Sequence, residues 1–256
     1  MTLKLSVCID AVFEGVAETE AIARVADAGI DAIEFWCWWE KDLDSMVAAA
    51  EKHSMTIAAC CTKFVSLVDP ELRPLYIAGL TQSIAAAKQI GCKTLISQVG
   101  DFLPGQSRQV QHQSLVDGLI EAAPLLEEAG ITLVIEPLND RVDHKGYYLV
   151  GSDEAFEIVG KVNSPNVKVV FDIYHQQISE GDVITRLTKN IDAIGHFHAA
   201  GNPGRNELDR GELNYSQIFE AIAQTGFQQH IGLEYWPIRD PDEGIRAVSR
   251  MQTRPL

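Results

Sequence analysis

The chain has 256 residues, 46% of them hydrophobic and evenly spread, which allows one α/β barrel or two smaller domains around a sizeable core. Its 21 basic against 36 acidic side chains give a formal charge of −15, which argues against a nucleic-acid-binding or anionic-membrane surface. No stretch approaches the roughly 20 apolar residues of a membrane span. The opening MTLKLSVCID also has too short an apolar run for a signal peptide. Cys8, Cys37, Cys60, Cys61 and Cys92 are odd in number and lack zinc spacing. They read as reduced, mostly buried thiols of a cytoplasmic protein.

Strands and helices alternate from the start. Residues 3–9 read as a strand and 16–28 as a helix closed by Gly29. A second strand covers 32–35, ending near Glu34 and Trp36, and Asp42 caps a helix to about His53. Residues 56–61 form the third strand. Asp69 and Pro70 open a long helix that Gly91 ends. The fourth strand, 93–98, precedes an amphipathic helix with Leu115, Leu119, Ala122 and Leu126 on one face. Pro124 should kink or split that helix, and Gly130 ends it.

The second half keeps the rhythm. Strand five is 131–136, Ser152 caps a helix to Val162, and strand six is 167–172. A helix over 183–190 leads to strand seven, 193–198. Asn214 caps the next helix, with Gln217 in the capping-box position and Gly226 at its end. Strand eight is 231–234, and the run from Asp240 to Glu243 opens a last helix. Eight strands alternating with helices, without a linker or composition break, predict a single (β/α)8 TIM barrel over residues 1–256. A doubly wound sheet would need a phosphate-binding glycine loop after an early strand, and the sequence has no GxGxxG or P-loop.

The chemistry sits at four strand ends. ITLVIEPLN runs from a buried strand into Glu136, and Pro137, which cannot donate to a ladder, stops it. VKVVFD ends on Asp172, AIGHFH on His198 and HIGLE on Glu234. In a barrel, C-terminal strand ends face one pocket whatever their separation in sequence. An ionisable group there is costly unless something pairs with it. Three carboxylates and one imidazole on strands five to eight read as ligands of one divalent metal. Mn²⁺ or Mg²⁺ suits them, with Co²⁺ or Zn²⁺ as substitutes.

The segments IEPLN, FDIYH, GHFHAAGNPGR…GELNY and GLEYWP resemble the hydroxypyruvate isomerase family of the xylose-isomerase-like barrels. Related ketose 3-epimerases share that fold. The resemblance spans nearly the whole chain and is densest from Ile131 to Pro237. It implies that Glu136, Asp172, His198 and Glu234 bind the metal and that Glu136 and Glu234 are the acid–base pair. It further implies substrate contacts from His175 and Arg205. Some hydroxypyruvate isomerases carry glutamine where this chain has His198, and the epimerases carry histidine, so the resemblance fixes the metal site more closely than the substrate.

The expected activity is therefore an aldose–ketose type isomerisation of a small hydroxy-oxo acid or sugar through an enediolate, with hydroxypyruvate to tartronate semialdehyde placed first. A 3-epimerase is the alternative. An apurinic-site endonuclease would need more histidine and carboxylate ligands and a basic surface, and a non-catalytic sugar- or metal-binding barrel would not need two opposed bases. No nucleic-acid or membrane partner is expected, and a homo-oligomer is compatible with the sequence. Around the site, Asn139 reads as a brace for the Glu136 loop and His196 as a core histidine one layer deeper. Trp36, Trp38, Trp39 and Trp236 read as pocket walls or packing, and residues 141–148 as a polar insertion able to act as a lid. His53, His112 and His230 read as surface residues.

Overall fold

A computed structural model describes residues 3–252. The first half runs β1 (Lys4–Cys8), α1 (Ile9–Val12), α2 (Glu18–Asp27), β2 (Ala32–Phe35), α3 (Leu43–Lys52), β3 (Thr56–Cys61), α4 (Arg73–Gln89), β4 (Thr94–Ser97) and α5 (Arg108–Ala129). The second runs β5 (Thr132–Ile135), α6 (Ser152–Val162), β6 (Val167–Asp172), α7 (Ile173–Ser179), α8 (Val183–Lys189), β7 (Ile194–Ala199), α9 (Tyr215–Gln224), β8 (His230–Leu233) and α10 (Pro241–Gln252). The strands pair in parallel and in sequence order, and β1 closes on β8 from Lys4↔His230 to Val7↔Leu233. The expected (β/α)8 barrel is the fold found.

Strand alternation divides the core in two. Leu133, Ile135, Val169, Phe171, Phe197, Ile231 and Leu233 point outward and join the helices' apolar faces. Ala59, Cys61, Ile96, Val134 and Val170 pack together inside the ring. Val134 lies two residues before Glu136, and Val170 two before Asp172. The same parity therefore carries each acidic side chain inward, one layer above an apolar floor.

Local signals account for most boundaries. The Asp42 side chain accepts from Ser45 N at 3.2 Å, and the Asn214 side chain from Gln217 N at 3.3 Å. Asp69 accepts from Glu71 N, but the helix it opens is a short 3₁₀ turn, Pro70–Leu72, that runs into α4. Two expectations are corrected. Pro124 does not split α5, which is helical throughout. Pro124 lies on the solvent face, where the Ile120 carbonyl it leaves without a donor can reach water. Ser152 is the first residue of α6 and not its cap, a position held by Gly151. Its backbone N–H is taken by the side chains of Gln176 at 3.1 Å and Glu180 at 3.2 Å, so carboxylate and amide oxygens from α7 and the residue after it do the capping. The short helices α1 and α7 have no counterpart in the sequence reading; four and seven residues are too few for a periodic apolar stripe.

Candidate active site

Backbone pairing presents the four strand-end residues to one point. Glu136 follows β5 with its N–H on Ser97 O at 3.2 Å, and Glu234 follows β8 with its N–H on Ala199 O at 3.1 Å. Asp172 and His198 are partners in the β6–β7 ladder. One ligand atom from each of Glu136, Asp172, His198 and Glu234 lies within 4.8 Å of the others. All four side chains are buried. His198 Nδ1 is 3.0 Å from Glu136 Oε1 and 3.3 Å from Glu234 Oε2.

The cluster carries more negative charge than its own imidazole can balance. Burial pushes the Glu136 carboxyl above the ordinary range, His198 opposes this, and the charges of Glu234 and Asp172 add to it. Burial alone would lower His198; the charges of Glu234 and Glu34 and the bond to Glu136 hold it well above the usual histidine value. A divalent cation fits such a set: three carboxylates and one imidazole nitrogen, buried and within reach of one ion.

Arg205 lies inside this cluster and not at the rim. Its Nη2 touches Glu234 Oε2 and stands 3.5 Å from Asp172 Oδ2, while its guanidinium covers the rings of Tyr174 and Trp236. Its Nε is buried without a partner. The backbone brings it there: Arg205 takes a left-handed conformation (φ 55°), its carbonyl accepts from Trp236 N, and Asn206 Nδ2 donates to Trp236 O. A side chain at Gly211 would meet Asn202 O at 2.1 Å, so this loop is held close by a glycine.

His175 is fully buried on α7, beside Asp172, whose side chain caps that helix by accepting from His175 N at 3.0 Å. Its Nδ1 is occupied by Asn139 Nδ2 at 2.7 Å, and its Nε2, without a hydrogen-bond partner, stands 3.6 Å from Asp172 Oδ2. Burial and the Arg205 charge keep its pKa well below the ordinary value, so the ring is neutral. Asn139 does brace its loop, its Oδ1 accepting from Val142 N at 2.9 Å and Asp143 N at 3.3 Å. It also reaches the site through His175, which the sequence reading did not anticipate.

The tryptophans divide: Trp36 Nε1 donates to Glu234 Oε1 at 2.7 Å and its ring faces Trp236, whereas Trp38 and Trp39 pack edge to face beside Phe64. The end of the 141–148 insertion is tied to its neighbours: Tyr147 Oη accepts from Val99 N and donates to Glu136 O, and Tyr148 N bonds to Gly100 O. His53, His112 and His230 are half-buried rather than surface residues, and His112 bridges Glu154 and Lys161. Glu34 belongs to the same buried network, a role the sequence reasoning misses. It is 2% exposed, and its carboxylate meets Ser6 Oγ at 2.7 Å and the Nε2 atoms of His196 and His198 at 3.0 Å. The signal was present, since Glu34 also sits near the end of an apolar strand, AIEF.

A family model described as xylose isomerase-like TIM barrel matches residues 22–254. The chain is 30% identical over 232 residues to the hydroxypyruvate isomerase of Escherichia coli (strain K12), covering 87% of this chain and 89% of that protein. It is 42% identical over 130 residues to the 2-oxo-tetronate isomerase of Cupriavidus necator, 51% of this chain and 50% of that one. A crystal structure of an AP endonuclease, family 2, from Brucella melitensis superposes with a TM-score of 0.91 at 27% identity, covering 98% of this chain and 99% of that one.

Proposed function

The chain belongs to the xylose isomerase-like TIM barrel family, and on that premise we propose that it is a divalent-metal-dependent isomerase of a three- or four-carbon hydroxy-oxo acid, hydroxypyruvate first. The observation that carries the reading is the pair of buried glutamates, Glu136 and Glu234, both within 3.3 Å of His198 Nδ1. Simple sugar binding needs no such pair. The charge of −15 speaks against a DNA substrate, and among the described residues no helix is long and apolar enough to cross a membrane. The five free thiols suit a cytoplasmic enzyme.

Glu136, Asp172, His198 and Glu234 would hold Mn²⁺ or Mg²⁺. When bound, the cation would polarise the substrate carbonyl and its neighbouring hydroxyl, making the intervening C–H more acidic. One glutamate takes the proton from the hydroxymethyl carbon. A proton is returned to the former carbonyl carbon, while the hydroxyl proton passes between the two oxygens. The product is the hydroxy-aldehyde acid, with no net gain or loss of atoms. In the metal-free protein burial raises the proton affinity of Glu136. His175 offers an Nε2–H to a substrate oxygen. Arg205 offers its unpaired Nε–H to the substrate carboxylate while its other edge stays on Glu234.

The test is turnover by metal-loaded protein in D₂O with hydroxypyruvate, 2-oxo-tetronate and free ketohexoses as substrates. The reading expects isomerisation of a short acid with solvent deuterium incorporated in the product. Good turnover of ketohexoses, with both acids untouched, would replace it by the epimerase reading.

A further inference from the structure

We propose that Glu34 is a positioning residue for this site: it keeps the His198 proton on Nε2, so that Nδ1 faces the carboxylate cluster with its lone pair free for a cation. The inference rests on the metal-site reading above and extends it to a strand on the other side of the barrel. A neutral imidazole has one N–H, and whichever nitrogen donates leaves the other as the only ligand atom. Glu34 Oε1 stands 3.0 Å from His198 Nε2 in an ion pair that lacks hydrogen-bond alignment, and no other acceptor meets that nitrogen. An ionised carboxylate only accepts, so it demands the proton there.

The surroundings fix the carboxylate in turn. Oε2 accepts from Ser6 Oγ at 2.7 Å and lies 3.0 Å from His196 Nε2, so a hydroxyl and two imidazoles converge on one side chain. Gly232 is the ladder partner of Ser6 on one side and of His198 on the other. A Cβ on Gly232 would stand 2.3 Å from Glu34 Oε1. The glycine thus leaves the space the carboxylate fills, and strands β1, β2, β7 and β8 are shaped around it. Carboxylates behind metal-ligating histidines raise ligand basicity, and removing them costs about 10- to 100-fold in metal affinity.

Glu34→Gln tests this because it keeps the shape and reverses one oxygen. The amide can satisfy only one imidazole as an acceptor and presents N–H to the other. Where it presents N–H to His198, the ring proton moves to Nδ1 and blocks the ligand position. Mn²⁺ titration calorimetry, with electron paramagnetic resonance of free Mn²⁺ as a second readout, compares wild type, Glu34→Gln and His196→Gln. Affinity should fall about 10- to 100-fold in Glu34→Gln and stay close to wild type in His196→Gln, where Glu34 still serves His198. Equal affinities in both folded variants, with only their thermal stability lowered, would overturn the inference and leave the metal reading intact. Wild type that takes no Mn²⁺ would overturn both. Should Glu34→Gln fail to fold, ¹⁵N-histidine spectra of the Mg²⁺-loaded wild type decide: His198 protonated on Nε2 supports the assignment, and protonation on Nδ1 overturns it.

Discussion

Asn139 Nδ2 donates to His175 Nδ1 across 2.7 Å, and this bond decides which nitrogen of His175 carries a proton. The amide cannot turn round, because its Oδ1 is claimed by the backbone N–H groups of Val142 and Asp143. Main chain therefore fixes amide, amide fixes ring, and the ring's single N–H points at the cluster. Asn139→Asp puts an acceptor where the donor was and draws the proton to Nδ1. It should lower kcat/KM about tenfold or more, the range for losing one buried hydrogen bond, and shift the ¹⁵N signals of His175. An unchanged spectrum with wild-type kinetics would retire this role.

Glu136→Gln and Glu234→Gln keep shape and a ligand oxygen but cannot accept a proton. Each should lose at least about a hundredfold in kcat. The double variant should be little worse than either, because a proton relay fails once one member is gone. Stopped turnover with retained Mn²⁺ binding is the pattern to look for; retention of half the activity in either variant counts against the pair.

Asp172 both faces the cluster and caps α7 through His175 N. Alanine would therefore mix loss of a ligand with loss of a cap worth about 1 kcal/mol. Asp172→Asn keeps the cap and removes the charge. It should weaken Mn²⁺ binding measured by calorimetry while leaving the circular-dichroism spectrum unaltered, and undiminished affinity would remove Asp172 from the ligand set.

Arg205 is the counter-charge of Glu234 and Asp172. Arg205→Met leaves buried carboxylates without it, a change that typically costs about 3–5 kcal/mol when one partner of a buried pair is deleted. The metal-free variant should melt well below wild type and regain most of the difference on adding Mn²⁺. Its kcat/KM should fall much further for an acid substrate than for a neutral sugar. Equal losses on both would take the carboxylate contact away from Arg205.

The His198 pKa is raised in the metal-free protein, so its protonated form stabilises the fold fully below about pH 6.5 and ceases to as pH rises through the higher folded-state value. Glu136, also raised, acts in the same direction. His144, His175 and His230 are lowered and titrate below the ordinary range. Chelator-treated protein should therefore lose melting temperature as pH rises above about 6.5, while metal-loaded protein should change less, since a cation replaces the proton. A melting temperature that climbs with pH in the chelated sample would contradict this.

Much of the protein is written locally. Hydrophobic runs of strand length, stopped by Pro137 or by capping Asp42, Asp69 and Asn214, mark the elements, because propensity and turn chemistry act over a few residues. A period of two then puts Glu136, Asp172, His198 and Glu234 on the inner side of their strands, and their place at strand ends puts them at one mouth of the barrel. Tertiary structure decided the rest. Glu34 is 162 residues from His196 and meets it across the closed ring, a contact no spacing encodes. Arg205 looks like a rim residue until the loops after β7 and β8 bond to each other and fold it onto Glu234. The proton position on His175 depends on an amide 36 residues away. Periodicity tells which face a side chain takes; only closure of the barrel brings the faces of distant strands within hydrogen-bond range.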